Sequence, residues 1–227
     1  MTFKILTDST ADLPESWTQE HDVQVLGLTI QLDGQTYETV GPDKLTSEQL
    51  LAKMESGSKP TTSQINVGQF EDVFRQYAQE GTAVLYVAFA SALSGTYQSA
   101  VMAREMVLED YPEAIITILD TKAASMGEGL LVMKAAEARA AGQSLEQTAD
   151  LLQSLVLRVQ TYFLVDDLNH LMRGGRISKA AALMGSLVNI KPIIAVTADG
   201  SLDSVAKVRG KKKAQAEVVR MTLETIS

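Results

Sequence analysis

The sequence contains no cysteine. Disulfide bonds, cysteine-ligated zinc, iron–sulfur clusters and a thiol nucleophile are therefore excluded. No apolar run approaches the roughly 18 residues that a transmembrane helix needs. The N-terminus has no basic region followed by a long apolar run, so we expect no signal peptide. From these absences we predict a cytoplasmic protein that is not integral to a membrane.

Two common phosphate-binding motifs are also missing. Nothing in the sequence matches the Walker pattern GxxxxGK[ST], and the glycine fingerprint of dinucleotide-binding domains is absent. Few cations lie in the predicted loops of the first half of the chain. The sequence therefore disfavours a bound polyphosphate.

The composition is that of a soluble globular protein. The 227 residues are enough for one large or two modest domains, each with its own core. Hydrophobic residues make up 45% and charged residues 21% of the chain, which are ordinary values. The formal net charge is −8, from 28 acidic and 20 basic residues. This balance argues against bulk nucleic-acid binding and against attraction to anionic lipid headgroups.

Strands and helices alternate up to about residue 158. Predicted strands cover 3–8, 23–32, 35–40, 83–89 and 114–119. Predicted helices cover 48–56, 67–79, 100–108, 123–141 and 145–157. This alternation predicts an α/β fold in which a Rossmann-like N-terminal domain, 1–159, has a parallel sheet and a small hairpin insertion at about 23–40.

The pattern changes in the last third of the chain. Predicted strands cover 161–165, 192–197 and 202–209, and predicted helical segments cover 167–172, 179–187 and 211–226. Asp199-Gly200 is a turn signal between two of these strands. The pattern predicts an α+β second domain, 160–227, with antiparallel strands.

Hydroxyl-rich loops recur where the strands of the N-terminal domain are predicted to end. We place four such loops at the carboxyl edge of the parallel sheet, where α/β proteins bind ligands. They are Asp8-Ser9-Thr10, Thr61-Thr62-Ser63, Ser91 with Ser94 and Thr96, and Asp120-Thr121 with Ser125. Hydroxyls and free backbone N–H groups suit a small, singly charged head such as a carboxylate. The alternative is that these side chains only cap helices.

A catalytic role is a second hypothesis. Asp8, Ser94 and His170 include the residue types of a hydrolase or phosphotransferase, although no GxSxG motif is present. Magnesium is the other catalytic option, because aspartates with neighbouring hydroxyls are oxygen ligands. Its candidate ligands are Asp8, Asp12, Asp120, Asp166 and Asp167.

Two basic segments stand out in this acidic protein. Arg173 and Arg176 flank a pair of glycines, and Arg209 lies within a run of cations that also contains Lys207 and 211–213. These cations form either a solvated face or a docking patch for an acidic partner or a phosphate. The run is too short, and too poor in aromatics, for nucleic-acid binding.

Eight short motifs, in order along the chain, together resemble the DegV family. They are TDSTADLP at 7–14, PTTS at 60–63, LSGTYQSA at 93–100, DT at 120–121, SMGEG at 125–129, the segment 168–178 with RGGRIS, NIKP at 189–192 and KVRG at 207–210. Each motif alone is weak, whereas the ordered set is specific and spans almost the whole chain.

The resemblance implies a function that composition does not reveal. Members of this family hold one long-chain fatty acid in a tunnel between two domains. Those that resemble the fatty-acid-binding subunit of bacterial fatty acid kinase present the carboxylate to a separate ATP-binding kinase subunit, which forms an acyl phosphate. By this resemblance the chain is a bacterial, non-catalytic lipid-binding subunit and a monomer, with a fatty acid as ligand and no cofactor or metal. A lipid-responsive regulatory module is the remaining alternative.

The resemblance also implies site residues. The carboxylate is expected at Thr62 and Ser94, with Thr61, Ser63 and Gly95 beside them. Further head-group or interdomain contacts are expected from Ser9, Thr10, Asp120, Arg173 and Arg176, and partner docking is expected from Arg209. The family continues about fifty residues beyond position 227 and often carries a histidine there. We therefore expect the second domain to be incomplete at its C-terminus.

Overall fold

The computed structural model describes residues 3–165, 168–177 and 189–226. The chain forms two compact units, Met1–Val156 and Leu157–Ser227. Their boundary lies three residues before the predicted one, and the division into separate domains at 159/160 stays a prediction. Within the described ranges, no helix combines the length and the apolar character that crossing a bilayer requires.

The first unit contains a parallel sheet. Its strands are β1 (Lys4–Asp8), β2 (Val23–Leu26), β6 (Val84–Ala88) and β7 (Ile116–Asp120), in the order β2-β1-β6-β7. A smaller antiparallel sheet contains β3 (Thr29–Leu32), β4 (Gln35–Glu38) and β5 (Thr61–Ser63), in the order β4-β3-β5. The predicted α/β class is confirmed.

The described residues of the first unit also form helices between the strands and after β7. These helices are α1 (Glu15–Glu20), α2 (Ser47–Glu55), α3 (Val67–Gln79), α4 (Thr96–Asp110), α5 (Met126–Ala140) and α6 (Leu145–Val156), with a 3-10 turn at Ser9–Ala11. Capping boxes begin α2 at Thr46 and α3 at Asn66. The 15-residue helices α4 and α5 follow the carboxyl ends of β6 and β7, as the sequence pattern predicts.

The core of this unit lies between the sheet and α3 with α4. Leu6 and Tyr86 of the sheet pack with Phe70 and Phe74 of α3, and all four are buried. Successive strand side chains alternate between the two faces of a sheet. Thr7 and Val87 therefore point to the other face, where α5 packs on β1 and β6. Both faces of β1 are thereby covered.

One predicted strand is divided in the structure. The sequence pattern predicts a single strand over 23–32, but the chain leaves the parallel sheet after Leu26 and joins the antiparallel sheet at Thr29. Gly27 lies at the bend, where a Cβ would lie 2.7 Å from the Cγ2 of Val40. Close packing against Val40 thus bends the chain, and the hairpin insertion begins at β3 rather than at residue 23.

The second unit is built around an antiparallel sheet. It contains β8 (Tyr162–Leu164), β9 (Ile190–Val196) and β10 (Leu202–Arg209), in the order β10-β9-β8, and the helices α7 (Asn169–Arg173) and α8 (Lys211–Thr225). Its buried cluster comprises Leu168, Ile177 and Ile194. The predicted α+β pattern is confirmed for the described residues. The predicted helix at 179–187 lies outside them, as do Asp166, Asp167 and Ser178.

Candidate functional site

The turn around Ser94 joins the carboxyl end of β6 to the first residue of α4. Ser94 is 9% exposed, and its Oγ accepts a hydrogen bond from the Thr96 N–H at 3.2 Å. The two hydroxyl oxygens of Ser94 and Thr96 are 2.9 Å apart. The hydroxyl of Ser94 thus satisfies one of the free N–H groups at the start of a 15-residue helix.

Two aspartates hold the segment that leads into this turn. Asp8 accepts the Phe89 N–H at 3.1 Å, and Asp120 accepts the N–H of Ser91 at 3.1 Å and its hydroxyl at 2.6 Å. Asp120 also accepts the Lys122 N–H at 3.0 Å. These bonds fix the backbone between β6 and Ser94 from the ends of the two neighbouring strands.

The predicted position of Thr61, Thr62 and Ser63 is wrong. These residues do not follow a parallel strand. They form β5 at the edge of the antiparallel sheet, where Thr62 pairs with Ile30 and all three are exposed. The reason is that the segment follows α2, and its backbone hydrogen bonds are made with β3. Their expected role in ligand binding stays a prediction.

The residues that follow β5 nevertheless reach the Ser94 turn. The amide of Gln64 donates to the Ser99 hydroxyl at 2.9 Å, and the Ile65 N–H donates to the Thr96 hydroxyl at 3.4 Å. The Gln64 side chain also lies directly against Gly95. The structure therefore joins the residues that follow β5 to the Ser94 turn.

Ser9 lies at the end of β1 and has a structural partner. Its hydroxyl oxygen accepts the Leu28 N–H at 3.2 Å and the Thr39 hydroxyl at 2.8 Å. A cavity of about 280 Å³ opens beside it, with Glu15 and Lys44 in its lining. These two charges pair with each other at 2.6 Å. The Lys44 ammonium group at this cavity is therefore already paired with the Glu15 carboxylate.

Thr10 lies between two buried acids. Its hydroxyl oxygen is 2.5 Å from Oδ1 of Asp8 and 2.9 Å from Oε2 of Glu128. Both carboxyl groups belong to residues that are 0% exposed. Burial raises the pKa of Glu128 well above its ordinary value, and the charge of Asp8 raises it further. Burial also raises the pKa of Asp8, while four hydrogen bonds oppose that shift.

The remaining predicted residues lie in the second unit and are exposed. Arg173 is the last residue of α7, and Arg176, three residues further on, donates to the carbonyl of Gly174. Arg209 is the last residue of β10 and pairs with Ile190. The ligand and docking roles expected for these arginines stay predictions.

The contacts of the candidate catalytic residues do not match a catalytic triad. Arg173 donates to Nδ1 of His170 at 2.7 Å, whereas a triad needs a carboxylate at that nitrogen. Asp8 is buried and already accepts hydrogen bonds at both oxygens. Over the part of the chain that the structure describes, no group of three or more His, Asp or Glu side chains is arranged to hold a metal ion.

Three residues whose side chains contact the site were not predicted from the sequence, namely Glu128, Tyr86 and Gln64. Glu128 stands between two glycines at the start of a helix, and a Cβ at Gly129 would lie 2.5 Å from the Ala11 carbonyl oxygen. The two glycines allow other backbone to approach α5 closely, and they are the local feature that could have marked Glu128. The other two have no comparable signal in the sequence.

The fold and the site define an α/β protein with a hydroxyl-lined helix N-terminus at the carboxyl edge of a parallel sheet. The sequence profile described as "uncharacterised protein, DegV family" matches residues 2–226. The chain therefore belongs to the DegV family. The interdomain tunnel that the resemblance implies stays a prediction.

Relatives cover nearly the whole chain. A DegV domain-containing protein of Streptococcus pyogenes is 55% identical over 227 residues, which are 100% of this chain and 79% of the relative. The crystal structure of a stearic-acid-binding protein from Eubacterium ventriosum matches with a TM-score of 0.90 and 30% identity, covering 99% of this chain and 76% of that one. A fatty-acid-binding DegV family protein from Thermus thermophilus matches with a TM-score of 0.86 and 35% identity, covering 99% and 78%.

Proposed function

We propose that this chain binds one long-chain fatty acid, with its carboxylate at the hydroxyls of Ser94 and Thr62. The observation that carries the proposal is the Ser94 turn, which offers a hydroxyl at the N-terminus of α4. A helix N-terminus favours a negative charge, and hydroxyls suit a carboxylate. The fatty acid bound by each of the two structural relatives supports the choice of ligand.

In this proposal the acyl chain and the head group have different tasks. Burial of the acyl chain supplies about 0.8 kcal/mol for each methylene group removed from water. The head group contributes less to affinity and instead fixes the orientation of the ligand. We therefore expect a change at Ser94 to displace the carboxylate while most of the binding energy, which the acyl chain supplies, is kept.

We further propose that the chain itself does not catalyse a reaction and presents the bound carboxylate to an ATP-binding kinase subunit. The kinase would form the acyl phosphate, in keeping with the absence of a Walker motif from this sequence. Arg209 is exposed at the end of β10, next to the cations at the start of α8, and such a basic surface suits an acidic partner. A cytoplasmic location belongs to the same proposal.

Mass spectrometry of an organic extract of the purified protein tests the ligand. We expect one fatty acid per chain, and a protein that is empty and also fails to bind added fatty acid would contradict the proposal. A Ser94→Ala variant tests the head-group site. It should lose about 1–3 kcal/mol of fatty-acid binding energy.

Kinase-coupled turnover should fall further than binding in the Ser94→Ala variant, because the position of the head group governs the reaction. Ser154→Ala is the control, since the exposed Ser154 hydroxyl donates to the Leu151 carbonyl within α6. Unchanged turnover in Ser94→Ala would overturn the head-group assignment. Fatty-acid binding without transfer to any kinase would instead indicate a lipid-responsive regulatory module.

A further inference from the structure

Asp8 and Glu128 contact the same hydroxyl group. The Thr10 Oγ1 lies 2.5 Å from Asp8 Oδ1 and 2.9 Å from Glu128 Oε2. A hydroxyl carries one proton and donates it to one acceptor at a time. If both carboxyl groups were ionised, the hydroxyl proton could lie in only one of these two contacts. In the other contact, the hydroxyl oxygen would face a carboxylate oxygen with no proton between them.

The partners of Asp8 identify it as the ionised member of the pair. Its Oδ1 accepts from the Thr10 N–H at 3.1 Å, and its Oδ2 accepts from the Phe89 N–H at 3.1 Å. The Tyr86 hydroxyl adds a further contact to Oδ2 at 2.8 Å. Backbone N–H groups only donate, so both oxygens of Asp8 must act as acceptors, and a carboxylate satisfies that requirement.

The partners of Glu128 identify it as the protonated member. Its Oε1 lies 3.0 Å from the Thr7 hydroxyl, which is also 3.0 Å from the carbonyl oxygen of Val87. With Glu128 ionised, the hydroxyls of Thr7 and Thr10 would supply two protons to four acceptors. A proton on Oε2 completes a chain in which Glu128 donates to Thr10 and Thr10 donates to Asp8.

The surrounding charges favour the same assignment. Glu128 lies on α5 and faces Asp8 at the end of β1, while Asp12 adds a more distant negative charge. Tyr86 of β6 is the other titratable group in contact with the pair, and burial together with Asp8 raises its pKa well above the ordinary value. The negative charges of Asp8 and Asp12 oppose ionisation of Glu128, and the Tyr86 hydroxyl stays neutral.

We propose that Asp8 and Glu128 hold one proton between them, carried by Glu128, and that the Asp8 carboxylate is a positioning residue for the Ser94 turn. Asp8 acts on the turn through its hydrogen bond to the Phe89 N–H, five residues before Ser94. The positioning half of this proposal rests on the proposed carboxylate site at Ser94, whereas the proton half does not.

A shared proton makes stability depend on pH in a defined direction. The pKa of Glu128 is raised in the folded protein, so the folded state holds a proton that the unfolded state releases above the ordinary pKa of a glutamate. The contribution of Glu128 is therefore fully present below that ordinary value and is lost as pH rises through the raised pKa. Within this window the unfolding equilibrium constant should increase roughly tenfold per pH unit because of this one proton.

A Glu128→Gln variant tests whether Glu128 carries the proton, because an amide group imitates a protonated carboxyl group. Its NH₂ group donates to Thr10 and its oxygen accepts from Thr7. Urea unfolding from pH 5 to 9 should show that Glu128→Gln removes the pH dependence that the wild type has. Glu137→Gln, at an exposed position of the same helix, should keep it. Infrared spectroscopy should show a protonated-carboxyl band that is missing from Glu128→Gln.

The fatty-acid dissociation constant, measured over the same pH range, tests the positioning half. Wild-type affinity should weaken as pH rises through the raised pKa, where the folded protein itself loses the Glu128 proton, and the affinity of Glu128→Gln should stay flat. Asp8→Asn should weaken binding about tenfold, since its NH₂ group must face a donor, whereas the exposed Asp110→Asn should not. If Asp8→Asn does not fold, the Glu128→Gln comparison still decides between the outcomes.

Each half of the inference can be overturned by its own results. Equal pH dependence in the wild type and in Glu128→Gln would place the proton elsewhere. A wild-type affinity that stays flat while the protonated-carboxyl band disappears, or an Asp8→Asn variant that folds and binds like the wild type, would remove the positioning role. If the wild type binds no fatty acid at any pH, the proposed function fails and the positioning role fails with it. The unfolding and infrared measurements still decide where the proton lies.

Discussion

The side chain of Gln64 lies across the backbone of Gly95. A methyl group added to Gly95 would overlap the Gln64 amide oxygen and would lie 2.8 Å from its Cδ. Gly95 has a φ of −70°, which any residue can adopt, so the backbone does not require glycine there. The glycine instead leaves room for Gln64, whose amide donates to the Ser99 hydroxyl. This packing joins the residues after β5 to the start of α4.

We predict that Gly95→Ala destabilises the protein by displacing Gln64. The cost should be about 1 kcal/mol of the free energy of unfolding, since the main loss is the hydrogen bond to Ser99. Because Gln64 follows the strand that contains Thr62, fatty-acid affinity should fall as well. Urea denaturation and a fatty-acid binding titration measure the two effects.

A double-mutant cycle with Gln64→Ala provides the control for this prediction. Gln64→Ala removes both the hydrogen bond and the obstacle, so Gly95→Ala should add no further cost in that background. The coupling energy between the two positions should then be about 1 kcal/mol. Costs that add fully would show that the two residues do not interact.

Asp120 holds the Ser94 turn through two donors, the Ser91 N–H and the Ser91 hydroxyl, and it also accepts the Lys122 N–H of its own loop. We predict that Asp120→Ala lowers the free energy of unfolding by about 1–3 kcal/mol, because these donors lose their acceptor. It should also weaken fatty-acid binding. Asp120→Asn is the matched variant, since its oxygen still accepts both N–H groups and its NH₂ group donates to the Ser91 hydroxyl. An equal loss in both variants would show that charge, rather than hydrogen bonding, holds the turn.

The pattern of the sequence predicts most of the fold but not the break after Leu26. The apolar run over 23–32 shows no turn signal strong enough to divide it. The bend depends on Val40, which packs against Gly27, and on Ser9, whose hydroxyl accepts the Leu28 N–H. These partners lie more than ten residues away in the sequence, so a local pattern does not reveal them.

The difference between a local pattern and a tertiary contact also explains which residues of the site the sequence predicts and which it misses. Ser94 and Asp120 stand where a strand ends and a helix begins, and a local pattern of hydroxyls and carboxylates marks such positions. Glu128 acts on Thr10, 118 residues earlier in the chain, and Tyr86 acts on Asp8, 78 residues earlier. Their roles arise from tertiary contacts, and an apolar strand gives no reason to expect a hydrogen bond from Tyr86 to a carboxylate.

We predict that Tyr86→Phe lowers the free energy of unfolding by about 1.5–3 kcal/mol. The change removes a hydrogen bond to the charged Asp8 in a buried position and leaves the packing against Phe70 in place. Tyr111→Phe is the control, because the Tyr111 hydroxyl receives an exposed hydrogen bond from Gln79. Its cost should be below about 0.5 kcal/mol. Thermal unfolding of both variants gives the comparison, and similar costs would contradict an ionised Asp8.

At Gly129 we expect a glycine-to-alanine substitution to destabilise the protein, although such a substitution usually stabilises a helix. Replacing glycine by alanine in a helix usually stabilises it by about 1 kcal/mol. At Gly129 the new methyl group would lie 2.5 Å from the Ala11 carbonyl oxygen and 3.2 Å from Leu13 Cδ2. The carbonyl belongs to the backbone of the 3-10 turn, so relieving the overlap must move that turn, and Thr10 with it.

We therefore expect Gly129→Ala to lower the free energy of unfolding by about 1–3 kcal/mol, as overpacking does. Gly68→Ala in α3 is the matched control, since its new methyl group would meet its nearest atom, Asn66 Oδ1, at 3.4 Å. That variant should be neutral or more stable. Two variants with the same stability would show that α5 does not approach the 3-10 turn this closely.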